Sequence, residues 1–127
     1  MLNFLWSDNA LDLNCSVIKY YKLKQLNMQT VFMQPSQSDQ YNIFTAAIPA
    51  PKVISFAEQD DLTGLYRAYK LKYIVINNAH LCTEAQINTL KQLSSNIDIY
   101  CYGLKDSTSD SIKYIKDVAD KTLRINI

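Results

Sequence analysis

Glycine is scarce in this sequence: Gly64 and Gly103 are the only two in 127 residues. Loops that cradle phosphate need glycine, because backbone N–H groups must approach the phosphate without a side chain in the way. Histidine is scarcer still. His80 stands alone, and nothing in the sequence pairs it with a nucleophile. The three cysteines, Cys15, Cys82 and Cys101, are odd in number and show no C-x-x-C spacing. That argues against a disulfide framework or a zinc site, and for reduced, buried thiols in a cytoplasmic protein.

Neither sign of charge dominates. Thirteen Lys and Arg nearly cancel twelve Asp and Glu, so no clustered basic excess points to nucleic acid. No apolar stretch approaches the roughly 20 residues that span a bilayer, so no membrane is expected. The opening MLNFLWSDNALD lacks a basic n-region and turns polar by Ser7, unlike a signal peptide. What remains is ordinary globular composition, 48% hydrophobic and 20% charged. The length suits one domain, 1–127, around one core.

Strand and helix patterns alternate along the chain. MLNFLW (1–6) reads as a short buried strand, and about 10–26 as a helix with Val17, Ile18 and Tyr21 on one face. QTVFMQ (29–34) is a second apolar run, stopped by Pro35. An extended segment is expected around 43–48, and Val53–Phe56 as a further short strand. Residues 58–70 look helical, with Leu62, Leu65, Tyr66 and Tyr69 at helical spacing. Tyr73–Asn77 has the β-branched, continuous character of a parallel strand covered on both faces. Thr83-x-x-Gln86 is a capping box for a helix to about 94, with Ile87, Leu90 and Leu93 inward. IDIYCY (97–102) is the next strand, expected to stop at Gly103. Ser107-x-x-Asp110 opens another helix to about 120, and TLRINI (122–127) reads as a last strand. The pattern predicts one doubly wound, mostly parallel α/β sheet with helices on both faces.

Such sheets bind ligands outside the carboxyl ends of their strands. The first strand-to-helix turn, WSDNALDLNCS, offers no glycine and no lysine there, only Asp8 and Asp12. Two carboxylates at a helix start suit its dipole, and their simplest role is to cap and solvate it. They would repel a triphosphate. The strand at 73–77 ends in Asn77-Asn78, where an acid would be expected for magnesium or general-base work. Amides can hydrogen-bond a ligand but cannot take a proton near neutral pH.

Three pieces, IVINNAHLCTEAQINTLKQL (74–93), IYCYGLKDS (99–107) and IKDVADK (115–121), follow one another in an order and spacing that resembles the P-loop domain of type II thymidine kinases. In that family an apolar strand ends in Asp-Glu-x-Gln-Phe, and a later strand ends in Tyr-Gly-Leu. The resemblance is closest over about 72–121, with Cys101-Tyr102-Gly103-Leu104-Lys105 its most specific element; LNMQTVFMQP (26–35) fits the family's second strand more loosely. It implies a P-loop, thymidine-kinase-like fold. By the same correspondence the phosphate loop falls on about Ser7–Asn14 without its glycines, and its lysine falls at Asp12 or Leu13. The magnesium aspartate falls on Asn77, the catalytic glutamate on Asn78, the glutamine on His80 and the following aromatic on Leu81. The Asp-Phe after the conserved basic position, here Lys105, has become Ser107-Thr108. The family continues past the equivalent of Ile127 into a zinc-binding ribbon and a loop over thymidine, a lid not expected here.

Phosphoryl transfer is positioning plus charge neutralisation, and each contributor is replaced. The expectation is a catalytically inactive thymidine-kinase-like module that binds a protein partner, with no cofactor, no metal site and no catalytic residue. Ser7, Asp12, Asn77, Asn78, His80 and Lys105 form its vestigial ligand-binding set. The resembled family forms homo-oligomers, which extends to this chain by analogy alone. Tyr20, Tyr21, Tyr66, Tyr69, Tyr100, Tyr102 and Tyr114 supply either a contact surface or core packing. The rival readings are a sensor that binds a nucleoside or nucleotide weakly without transferring phosphate, a residual thymidine kinase, and a divergent enzyme pairing Cys82 or Cys101 with His80.

Overall fold

In a computed structural model, residues 1–9, 30–35, 53–64, 73–104 and 110–125 are described. They form six strands: β1 (Leu2–Ser7), β2 (Thr30–Pro35), β3 (Val53–Phe56), β4 (Tyr73–Ile76), β5 (Asp98–Leu104) and β6 (Lys121–Arg124). Two helices accompany them, α1 (Glu84–Leu93) and α2 (Asp110–Val118). The strands make one sheet in the order β3-β2-β4-β5-β1-β6. Every pairing is parallel. The chain thus moves toward one edge from β1 to β3 and back toward the other from β3 to β6. That reversal is the doubly wound α/β arrangement the alternation predicts, of a Rossmann- or P-loop-like kind. Among the described residues, no helix is long and apolar enough to cross a membrane.

The strands follow from their composition. β4 is Tyr-Ile-Val-Ile, stiff at χ1 and buried at three of its four positions. Alternation splits its side chains between the faces. Ile74 and Ile76 join Leu2, Phe4, Met33, Ile99 and Cys101 in one cluster with Ile87 and Leu90 of α1 and Ile112 and Ile115 of α2. Val75 and Tyr102 are buried but outside that cluster, on the opposite face. Burying each large aliphatic chain contributes about 1.5–3 kcal/mol, so this face carries much of the stability of the described part.

Several boundaries differ from those expected, each for a local reason. The helix predicted over 58–70 begins at Leu62. Before it, Asp60 accepts from the Ala57 N–H at 2.8 Å and Asp61 from the Thr63 N–H at 2.9 Å, so these acids hold a turn and a cap instead of a first helical turn. β5 does not stop at Gly103 but runs through it to Leu104. A Cβ there would stand 3.0 Å from Phe4 Cε1 and 3.3 Å from Ile112 Cδ1, so glycine is set by close approach and not by a turn. β2 includes Pro35, which pairs with Phe56 as its last residue. β6 spans 121–124 and is exposed throughout, because it is an edge strand. Tyr102 is core, 2% exposed, and not part of a contact surface. The predicted helix at 10–26, the extended segment at 43–48 and the Ser107 cap lie outside the described residues, and the helix expected over 107–120 is seen from Asp110 to Val118.

Candidate functional site

The end of β4 is built by its backbone. Asn77 extends the ladder by one bond, its N–H donating to the Met33 carbonyl of β2 at 2.9 Å. Asn78 then turns the chain with φ 54° and ψ 46°, the left-handed region, where it is the only non-glycine residue described. Asparagine enters that region more readily than other L-residues with a full side chain. Ala79–Leu81 follow as a single 3-10 turn, closed by Leu81 N–H to Asn78 O at 2.9 Å. Thr83 then caps α1: its hydroxyl accepts from the Gln86 N–H, and the Gln86 side chain accepts from the Thr83 N–H, both at 3.1 Å.

This turn delivers His80 into the sheet. The ring is 8% exposed, and its Nδ1 accepts the backbone N–H of Leu104 at 3.2 Å. Nδ1 being an acceptor, the ring proton of the neutral form sits on Nε2. Burial pushes the imidazole pKa down from 6.5 to about 4, so His80 is uncharged at neutral pH. Leu104 in turn pairs in register with Ser7 at the end of β1. Ser7 is 3% exposed, and its hydroxyl accepts from the Asn9 N–H at 3.1 Å, a short polar turn in place of a glycine-rich loop. Ser7, Leu104 and His80 are therefore contiguous at the carboxyl ends of β1 and β5.

Asn77 is separate from this group. Alternation from Ile76 places its side chain on the face opposite α1 and α2. It is 4% exposed, and its Oδ1 has no hydrogen-bond partner among the described residues. The register that pairs Met33 with Ile76 and Ile76 with Cys101 puts Gln34 and Tyr102 beside it on that face. Both are buried. Asp12 and Lys105 lie outside the described residues.

Of the three cysteines, Cys15 lies outside the described residues, and the other two have none of the marks of an activated nucleophile. Cys82 and Cys101 are buried, and burial pushes the Cys82 thiol up to about 12 and the Cys101 thiol well above its ordinary value. A histidine base would take the thiol proton on a free ring nitrogen, and His80 Nδ1 already accepts the Leu104 N–H. Among the described residues no three His, Cys, Asp or Glu side chains converge as a metal site.

One bond of structural weight escapes the sequence reading. Gln86 fulfils the capping box and also donates from Nε2 to the Ala57 carbonyl at 2.8 Å, tying the end of β3 to the start of α1. Its capping role is legible in the Thr-x-x-Gln spacing; the long-range bond has no sequence signal.

What these residues offer chemically is hydrogen bonding without charge: the amides of Asn77 and Asn78 and the neutral imidazole of His80 beyond the end of β4, and the hydroxyl of Ser7 at the end of β1. No protein-family model matches this sequence, and no curated protein matches it.

Proposed function

We infer that the chain is a catalytically inactive, thymidine-kinase-like module that acts by binding a protein partner or by assembly. The observation that carries this is the end of β4, where Asn77 and Asn78 stand in place of acids and are followed by a histidine held neutral. An amide cannot serve as general base, and a neutral imidazole whose Nδ1 accepts a backbone N–H adds no positive charge to stabilise a transferring phosphoryl group. The lack of glycine and lysine between Ser7 and Asn14 supports the same reading.

A second reading, a sensor that binds a nucleoside or nucleotide without transfer, is favoured by the buried, unpartnered Oδ1 of Asn77. A magnesium-dependent phosphotransfer assay with ATP and thymidine, run beside light-scattering mass measurement of the pure protein, tests the main reading. The expected result is no turnover above background. Turnover abolished by Asn78→Ala would overturn it.

A further inference from the structure

We propose that the crevice between the carboxyl ends of β2 and β4 binds a neutral, planar cis-amide, a primary carboxamide or a lactam, recognised by the side chain of Asn77. β2 and β4 are neighbours, yet the chain leaves β2 toward β3 at one edge and β4 toward β5 on the other side. Where adjacent strands send their connections in opposite directions, the carboxyl ends part and a ligand crevice opens. Asn77 stands at this parting, fixed against β2 by its N–H bond to Met33 O at 2.9 Å.

The side chain, not only the position, points to a ligand. Asn77 is 4% exposed, and its Oδ1 accepts no hydrogen bond among the described residues. A buried acceptor left unpaired costs stability, and such atoms in folded proteins call for a specific explanation. Here a ligand donor supplies it. The neighbours in register, Gln34 and Tyr102, are both uncharged and buried, 1% and 2% exposed. An anion would bring a second acceptor to Oδ1. A cation would lose its hydration among neutral groups. A neutral N–H donor suits the site.

The geometry of an amide narrows the class. A side-chain carboxamide presents an acceptor beside a donor in one plane. Its complement presents a donor beside an acceptor, as a primary carboxamide or lactam does; asparagine uses the same two-point pairing against the adenine edge. Asn77 binds here without turnover, in keeping with the non-catalytic reading above.

The test uses the full chain labelled with ¹⁵N. Benzamide and 2-pyridone serve as the carboxamide and lactam probes, with benzoate and inorganic phosphate as anionic controls. The expected result is a saturable shift of the Asn77 side-chain amide resonance, identified by its loss in Asn77→Leu, with millimolar benzamide or 2-pyridone. Benzoate and phosphate leave it in place. Asn77→Asp weakens probe binding at least tenfold, since the carboxylate keeps an acceptor but loses the donor. An unmoved Asn77 resonance at millimolar probe overturns the proposal, and so does phosphate binding in place of the amides or undiminished affinity in Asn77→Asp. The wild-type titration decides even if a variant fails to fold. Thymidine turnover in the phosphotransfer assay would sink the non-catalytic reading instead, and leaves the titration to judge amide binding alone.

Discussion

Mild acid should destabilise this protein well above the pH at which carboxylates protonate, and His80 is the reason. Its ring is 8% exposed, its Nδ1 is engaged by Leu104 N–H, and burial pushes its pKa from 6.5 to about 4. The folded value is the lower one, so the unfolded chain takes up the proton first. The stabilisation is complete above the unfolded pKa, falls as pH drops below it, and stops falling near the folded pKa. At about 1.4 kcal/mol per pH unit, the whole gap is worth about 3.4 kcal/mol, of which roughly 2 kcal/mol is lost between about pH 7.5 and about pH 5. That is a large share of a typical domain stability of about 5–15 kcal/mol. Asp120 does not confuse this window. The Leu2 N–H and then Lys91 hold its carboxyl below the usual value, so its contribution is lost only at lower pH. Urea unfolding at the two pH values, on wild type and His80→Gln, measures the effect. Glutamine keeps an acceptor for Leu104 N–H but has no comparable proton to gain, so its stability should change much less. Equal losses in the two proteins, or an NMR titration of His80 with a midpoint near 6.5, would refute the reasoning.

Other consequences can be checked with the same equipment. Gly103→Ala should cost about 1–3 kcal/mol, lowering Tm by roughly 4–11 °C, because the new methyl meets Phe4 and Ile112, which are themselves buried; an unchanged melting curve would show that the packing gives freely. Gln86→Ala should lose about 1–3 kcal/mol in urea unfolding, since it leaves the Thr83 N–H without its partner and removes the tie to the Ala57 carbonyl, which keeps only the Asp60 N–H. Native protein treated with a disulfide reagent should leave Cys82 and Cys101 unmodified until it unfolds, because both thiols are buried and raised; peptide mapping that finds either one labelled at the rate of a free thiol contradicts this.

Much of the fold was legible because its signals are local. A run such as Tyr-Ile-Val-Ile, or Thr-x-x-Gln ahead of an apolar period, specifies a strand or a helix start within a few residues, and both stand where expected. The misplacements came where a distant contact, or a side-chain bond to nearby backbone, decides. Gly103 looks like a stop signal in sequence, yet its reason is a phenyl ring on β1. Asp60 and Asp61 have the look of a first helical turn, yet their carboxylates bind backbone N–H groups nearby and delay the helix. TLRINI alternates like a half-buried strand, yet the strand ends at Arg124 and lies exposed at the edge, since nothing in six residues tells which strand will be last in the sheet.

The two asparagines show the same division within the site. Read as letters, they are equivalent losses of charge. In the structure they are not. Asn78 sits at φ 54°, a conformation that a glutamate adopts at a cost and asparagine tolerates, so the turn alone is a sufficient reason for its identity. Its amide therefore says less about chemistry than the sequence suggested. Asn77 has no such backbone excuse: it continues an ordinary ladder, where many residues would serve. A leucine or valine there would remove a buried acceptor that nothing among the described residues satisfies. A polar residue that the fold neither requires nor rewards is the one whose identity calls for a ligand. Of the pair, Asn77 is therefore the position at which function should be sought.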